Sequence, residues 1–403
     1  MSDGPMLRIA MLGTRGVPAA YGGFETAIEE IGQRLAARGH EVTVYCRSAD
    51  GSKPRHHLGM RLVHLPALRS KSLETLSHTA LSAAHAVFHR RPDVSFVFNA
   101  ANSPFLPLIR TRRAPVAVHV DGLEWKRGKW GTWGKRYYRL AEQLAVRWSD
   151  ALISDAQGIA DYYTLEFGIA SELISYGTNI IREPARDKLA GLGLEAGRYH
   201  LVVARFEPEN HVDVVVQGYA ASHATLPLVV VGSAPYSAAY TDSIAAVAES
   251  DPRITMLGGV WDQDLLDQLY ANAALYLHGH SVGGTNPSLL RAMGAGTAVA
   301  AYDVSFNREV LGEDGRFFST VADVAERVHE VEAADEESRV LGHRLQGRAE
   351  QIYNWDVVTD GYEELARRLH RGYSTRGRRR GSRAASTWID ETAPRRENED
   401  ARS

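Results

Sequence analysis

Short apolar runs alternate along the chain with longer stretches in which apolar residues return every three or four positions. The runs read as buried strands and the longer stretches as amphipathic helices. Predicted strands in the first half are residues 7–12, 41–46, 61–65, 94–98, 116–120, 151–154 and 173–175, with helices near 24–38, 75–89 and 134–149. Residues 182–197 are polar, charged and glycine-bearing, as in a linker. The pattern then restarts, with strands at 200–204, 227–231, 254–257, 274–277 and 298–301 and helices near 212–222, 240–248, 263–271 and 287–295. This alternation predicts an α/β protein of two doubly wound, mostly parallel sheets, facing each other across a cleft at the carboxyl ends of their strands. The expected divisions are 1–181, 182–197 and 198–353. Residues 372–403 are poor in apolar side chains and read as a disordered tail. Its start, 371–383, holds six arginines and no acid, and 390–403 is mainly acidic and polar.

A length of 403 residues suits two domains plus tails, and a formal net charge of -3 excludes a globally basic nucleic-acid binder. The single cysteine, Cys46, rules out an internal disulfide and reads as a buried, inert thiol at a strand end. No basic segment followed by an apolar run opens the chain, and no run approaches the ~20 apolar residues of a membrane span. The expectation is a soluble, cytoplasmic protein.

Several strand ends carry candidate chemistry. Residues 274–291 read as a strand, a glycine loop and a helix, with Asn286 as N-cap and Pro287 at the first helical position. Gly283 and Gly284 allow close backbone approach, so Gly283, Gly284, Thr285 and Asn286 form a candidate phosphate site at a helix N-terminus. His278 and His280 share one face at the end of that strand. A metal pair there lacks a third ligand, leaving a sugar-hydroxyl contact for His280 or simple packing. The first loop, 13–23, ends in Gly22 and Gly23 and makes room for a ligand beside the next helix. It lacks the G-x-G-x-x-G spacing, and the second strand ends in Tyr45-Cys46-Arg47 without an acid, which disfavours a nicotinamide cofactor. Arg205 follows the first strand of the second half, where a fixed cation can bind a diphosphate. Asp121 closes a strand facing the cleft, positioned to accept a hydroxyl hydrogen bond or assist deprotonation, or else to cap the next turn. His119 lies two residues earlier on the same face, and Asn99 and Asn102 follow the strand ending at Phe98. Residues 125–139, starting at Trp125, hold six Lys or Arg, three Trp, two Tyr and no acid. That mixture suits an anionic lipid surface, and equally a solvated helix face with aromatic core contacts.

The run from Thr14 to Glu25, then Arg38-Gly39-His40-Glu41-Val42-Thr43-Val44-Tyr45-Cys46, resembles the N-terminal half of family 4 glycosyltransferases, most closely the rhamnosyltransferase-like subgroup. Asp121-Gly122-Leu123-Glu124-Trp125-Lys126-Arg127, Ala204-Arg205-Phe206-Glu207-Pro208-Glu209-Asn210 and His278 to Leu290 extend the similarity to both halves. The resemblance implies a GT-B fold of two Rossmann-like domains, with a nucleotide-sugar donor in the cleft and a last helix, 354–371, crossing back to the first domain. It implies sugar transfer with retention and no cofactor or obligatory metal. It assigns catalytic roles to Asp121 and Arg205 and donor contacts to Gly22, Gly23, Arg205, His280, Gly283, Gly284, Thr285, Asn286 and Arg291. Asn99, Asn102, His119 and Trp125 fall on the acceptor side. The implied acceptor is a lipid-linked saccharide or surface-polysaccharide precursor, met peripherally at the inner face of the plasma membrane, with rhamnose the sugar suggested by the subgroup.

Two positions depart from the family pattern. Asn210 and His211 stand where a lysine usually follows the arginine. Gly283 and Arg291 stand where family members carry two glutamates with seven residues between them. A guanidinium donates hydrogen bonds and cannot replace a carboxylate that accepts them from a ribose. It is left to reach either a diphosphate or a neighbouring acid. A GT-B protein that binds a sugar nucleotide without transferring it, and a sugar-nucleotide epimerase on the same fold, are the alternatives.

Overall fold

The computed structural model describes residues 4–19, 22–48, 54–68, 74–120, 122–126, 130–233 and 238–375. Its first sheet is built from β1 (Arg8–Leu12), β2 (Glu41–Arg47), β3 (His56–His57), β4 (Met60–Leu65), β5 (Val94–Phe98), β6 (Val116–His119), β7 (Ala151–Ser154) and β8 (Glu172–Leu173). Their order is β3-β4-β2-β1-β5-β6-β7-β8, parallel except for the β3–β4 pair. Helices α1 (Gly23–Ala37), α2 (Glu74–His85), α3 (Leu106–Ile109), α4 (Thr132–Trp148) and α5 (Gln157–Phe167) cover it. The central strands β1 and β5 are apolar apart from Arg8 at the exposed start and Ser95, because both faces are buried. In register, Ile9 sits between Val42 and Val94.

The second sheet comprises β9 (His200–Val203), β10 (Leu228–Val231), β11 (Ile254–Gly258), β12 (Leu275–His278), β13 (Val299–Tyr302) and β14 (Arg316–Phe318), in the parallel order β11-β10-β9-β12-β13-β14. Its helices are α6 (Val212–Ala220), α7 (Ala238–Ser250), α8 (Gln263–Ala271), α9 (Pro287–Gly294), α10 (Ser305–Leu311), α11 (Val321–Ala333) and α12 (Asp335–Ile352). Both sheets turn their carboxyl strand ends toward one cleft, the GT-B arrangement.

The last helix, α13 (Trp355–His370), is capped by the Asn354 side chain, which accepts from the amides of Asp356 and Val357, and it packs on α1 of the first domain. The two passages between domains touch where Thr178 bridges to Asn354 and donates its amide to the Tyr353 carbonyl at 2.7 Å. The stretch read as a linker is held against the second domain, with Leu189 buried and the Ala185 carbonyl accepting from Asn272 Nδ2 at 2.9 Å. Residues 373–375, expected in the tail, are instead bonded to the first domain. Tyr373 bonds to Glu172, and Ser374 and Thr375 bond to Asp150, so these residues belong to the folded body. Residues 376–403, and with them most of the Arg-rich and acidic segments, lie outside the described residues.

Glu363 fastens α13 to the first domain. Its carboxylate accepts from Arg38 Nη1 at 2.9 Å and Arg367 Nη2 at 2.7 Å, and faces His40 Nε2 at 3.3 Å. Burial alone would raise its pKa, but the bonds from Arg367, Arg38 and His40 outweigh burial and hold it at about 2. A carboxyl depressed in the folded state stabilises above its unfolded value of ~4.5, and that contribution disappears as pH falls toward 2. Urea unfolding should therefore show stability falling between pH 5 and pH 3. Glu363→Gln should cost about 3 kcal/mol at pH 7 and flatten that slope; an unchanged slope in the variant would place the acid sensitivity elsewhere.

Candidate functional site

On the second-domain side, β12 runs into the loop 279–286 and α9. Asn286 caps α9, its Oδ1 accepting from the Ser288 amide at 2.9 Å and hydroxyl at 2.8 Å, so this side chain is spent on the helix start. Gly283 has φ 132°, a left-handed backbone that lets the loop turn without a Cβ. His278 is buried, with Nδ1 against the Tyr276 hydroxyl at 3.2 Å, and burial lowers its pKa to about 3, so the ring is neutral at pH 7. His280 Nδ1 pairs with Asn210 Oδ1, whose Nδ2 donates to the Arg205 carbonyl at 2.8 Å. Asn210 thus ties the strand-end turn after β9 to the loop after β12. The Arg205 guanidinium keeps 41% of its side chain exposed and meets Glu207 at 3.4 Å, a loose contact for a cation at a cleft edge.

On the first-domain side, Gly22 is the N-cap of α1 at φ 122°, with no side-chain cap on the first-turn amides. Glu25 in that first turn accepts from the Arg15 amide at 3.2 Å and folds back over Gly22. Asn99 caps the following turn, its Oδ1 accepting from the Ala101 amide at 2.8 Å. Asn102 corrects the sequence expectation of an acceptor-side residue. It is fully buried, accepts from Thr79 and donates to the carbonyls of Gly13 and Phe98, so it anchors the first loop from below. His119 also lies beneath the surface, 2% exposed, with Nδ1 on the Tyr362 hydroxyl at 2.7 Å and Phe24 edge-on; burial lowers its pKa to about 3. Trp125 packs under Arg139 at 4.8 Å and beside Glu142, whose pKa burial raises to about 7. Asp121 lies outside the described residues.

These two sides touch. A Cβ on Gly122 would sit 2.6 Å from the Gly283 Cα, and one on Gly284 would sit 2.5 Å from the Asp155 carboxylate. The Thr285 hydroxyl donates to the Asp155 carbonyl at 2.7 Å and accepts from Ser175 at 3.3 Å. A Cβ on Gly23 would lie 3.0 Å from Pro287 Cγ, so the N-termini of α1 and α9 oppose each other across the cleft. At the exposed edge of the contact, the Glu309 carboxylate accepts the Gln157 amide at 2.8 and 3.0 Å and closes the N-terminus of α5 from the other domain.

Arg291 is turned away from the loop. Its Nε donates to Asp267 at 2.7 Å, its Nη1 and Nη2 donate to the Gln263 side chain and carbonyl at 2.9 Å each, and Tyr270 lies 5.6 Å beneath it. Of the two destinations open in the sequence, the neighbouring acid takes the guanidinium, and Arg291 is removed from the donor contacts. Sequence reasoning assigned no site role to Glu25, Asp155, Glu309 or Asn210. Glu25 and Asn210 stood in the quoted motifs, but nothing local marks Asp155 and Glu309, which act on segments from elsewhere in the fold.

Residues 22–177 match the sequence model of the glycosyl transferase 4-like domain, and residues 197–333 match that of glycosyl transferases group 1. None of the curated proteins matches the chain significantly. Solved structures share the fold at low identity. Sucrose-phosphate synthase from Thermosynechococcus elongatus superposes with a TM-score of 0.76 at 20% identity, over 90% of this chain and 98% of that one. Anabaena HepE in complex with UDP-glucose gives 0.72 at 16%, over 90% and 100%. A Burkholderia xenovorans trehalose-phosphate synthase gives 0.69 at 11%, over 89% and 100%.

Gly122→Ala should leave each domain folded and hold the cleft open, because its Cβ meets the Gly283 backbone at 2.6 Å. Small-angle scattering should then report a larger radius of gyration with unchanged circular dichroism; an unchanged radius would mean that the contact yields locally.

Proposed function

A glycosyl transferase 4-like domain followed by a glycosyl transferases group 1 domain makes the chain a glycosyltransferase of GT-B architecture, and we propose that its cleft binds a nucleoside-diphosphate sugar and transfers the sugar, with retention, to a lipid-linked saccharide or surface-polysaccharide precursor. The observation that carries this reading is the opposition of the α1 and α9 N-termini at Gly23 and Pro287. Two positive helix ends converge there, and the N-cap of α1 is a glycine with no side chain over the first turn. Arg205 adds a mobile cation, and these protein groups, rather than a bound metal, offset the charge that builds on the leaving diphosphate. The UDP-glucose bound by HepE supports a nucleoside diphosphate as the handle. In this reading Asp121 accepts a hydrogen bond from a substrate hydroxyl, Gly283 and Gly284 present backbone to the donor, and His280 stands at the sugar end. Rhamnose carried on dTDP is the donor that the sequence resemblance favours.

A membrane-side acceptor is supported by α4. Trp133 is 80% exposed with Arg136 stacked 5.4 Å from its ring, and Leu140 is exposed on the same helix. Each basic residue near an anionic surface contributes roughly 1 kcal/mol. No helix among the described residues is long and apolar enough to cross a membrane, so such contact would be peripheral.

Calorimetric titration with UDP, GDP and dTDP should reveal one preferred nucleotide. Arg205→Ala should weaken it ~10- to 100-fold, as expected for a charge-assisted contact. Arg291→Ala should change affinity less than about threefold while lowering the melting temperature, since its partners are structural. A folded protein that binds none of the three nucleotides would overturn the donor site. Labelled donors offered with lipid-linked and soluble acceptors test the acceptor, and transfer to soluble acceptors alone would sink the lipid part. Trp133→Ala should reduce co-sedimentation with phosphatidylglycerol vesicles.

A further inference from the structure

The first sheet has a second opening, at the edge opposite the cleft. A cavity of about 430 Å³ lies where Arg8, Asp93 and Pro115 begin or precede β1, β5 and β6. At ~3.3 Å per residue, the length of β1 or β5 puts it roughly 15 Å from the carboxyl edge of the sheet. The floor is apolar, with Ala86, Val87 and Ile109 buried. The rim carries Arg8, Arg91, Arg113 and His370. Asp93 is the one acid in the lining, and Arg8 takes both its oxygens, at 2.8 and 3.2 Å. That pair is internally neutral, which leaves Arg91 and Arg113 in excess; neither guanidinium has a partner among the described residues.

Both arginines also stand in left-handed backbone, at φ 46° and 59°, closing the helical turns 86–90 and 110–112. Glycine or asparagine suits such a position, and another L-residue costs roughly 1–2 kcal/mol there. Each amide donates to a helix carbonyl, Arg91 to Ala86 at 2.9 Å and Arg113 to Arg110 at 2.8 Å, so both arginines are helix ends that turn toward one cavity.

We propose that this cavity is a second ligand site, for a phosphate-bearing small molecule whose apolar part lies on Val87 and Ile109 and whose phosphate is held by Arg91 and Arg113. Paired guanidinium groups match phosphate oxygens through forked hydrogen bonds, and the volume falls within the range of small-molecule pockets. The site is independent of the donor cleft.

The test is calorimetric titration of the full chain with phenyl phosphate, inorganic phosphate and phenol, for the wild type and for Arg91→Gly/Arg113→Gly. Glycine fits both backbone positions, so the double variant should melt no lower than the wild type. Phenyl phosphate should bind more tightly than inorganic phosphate, phenol should not bind measurably, and the double variant should weaken phenyl phosphate at least 10-fold without altering UDP titrations. Equal affinity in the double variant, no saturable phenyl phosphate binding by the wild type, or competition between phenyl phosphate and UDP would each overturn the site.

Discussion

The two domains meet where glycine backbone of each lies directly against the other. Gly122 faces the Gly283 backbone with no room for a Cβ on it, and Gly284 lies on the Asp155 carboxylate under the same condition. This proximity sets the rest of the cleft. It brings the α1 N-terminus over Pro287 and lets the Thr285 hydroxyl reach the Asp155 carbonyl. It also lets Glu309 cross the interface to close α5. Each of these polar bonds is short-ranged, so a shift of one methyl group between the loops would remove several together.

Charge in the cleft is sorted by commitment. Arg291 is consumed by Asp267 and Gln263, and Arg348 by the carbonyls of Glu309 and Val310. Arg205 meets Glu207 loosely, at 3.4 Å, and stays 41% exposed. A guanidinium with its donors spent on protein acceptors has little left for a ligand, whereas one half in solvent can reorient at small cost. The histidines divide similarly. His119 and His278 are sunk in the core as neutral rings, and His280 stands at the loop, joined to Asn210.

Much of the fold was legible because strands buried on both faces must be apolar throughout. Residues 94–98, 151–154 and 263–271 appear with the predicted limits. The region between β13 and the last helix was not legible. The buried stripe of α12 is Ser338, Gly342, Leu345 and Ala349, small side chains that carry almost no hydrophobic periodicity. Gly342 is needed there because a Cβ would come 2.3 Å from the Gly296 carbonyl oxygen, so that face is selected for size rather than hydropathy. β14 is a three-residue edge strand, too short to alternate. In the site, the glycine loop and helix start were readable from neighbouring residues, whereas the burial of Asn102 beneath Gly13 was not.

By itself the sequence determined two α/β halves, the glycine loop leading into α9 through Asn286 and Pro287, and the arginine after β9. These are properties of residues a few positions apart, governed by local periodicity, capping and backbone freedom. Only the tertiary structure decided which way Arg291 points, what Asn102 anchors, and that Glu309 caps a helix 152 residues earlier in the chain. The physical reason is that a side chain's partner is chosen by proximity in the folded state. Distance along the chain carries no information about that proximity beyond a turn or two of helix.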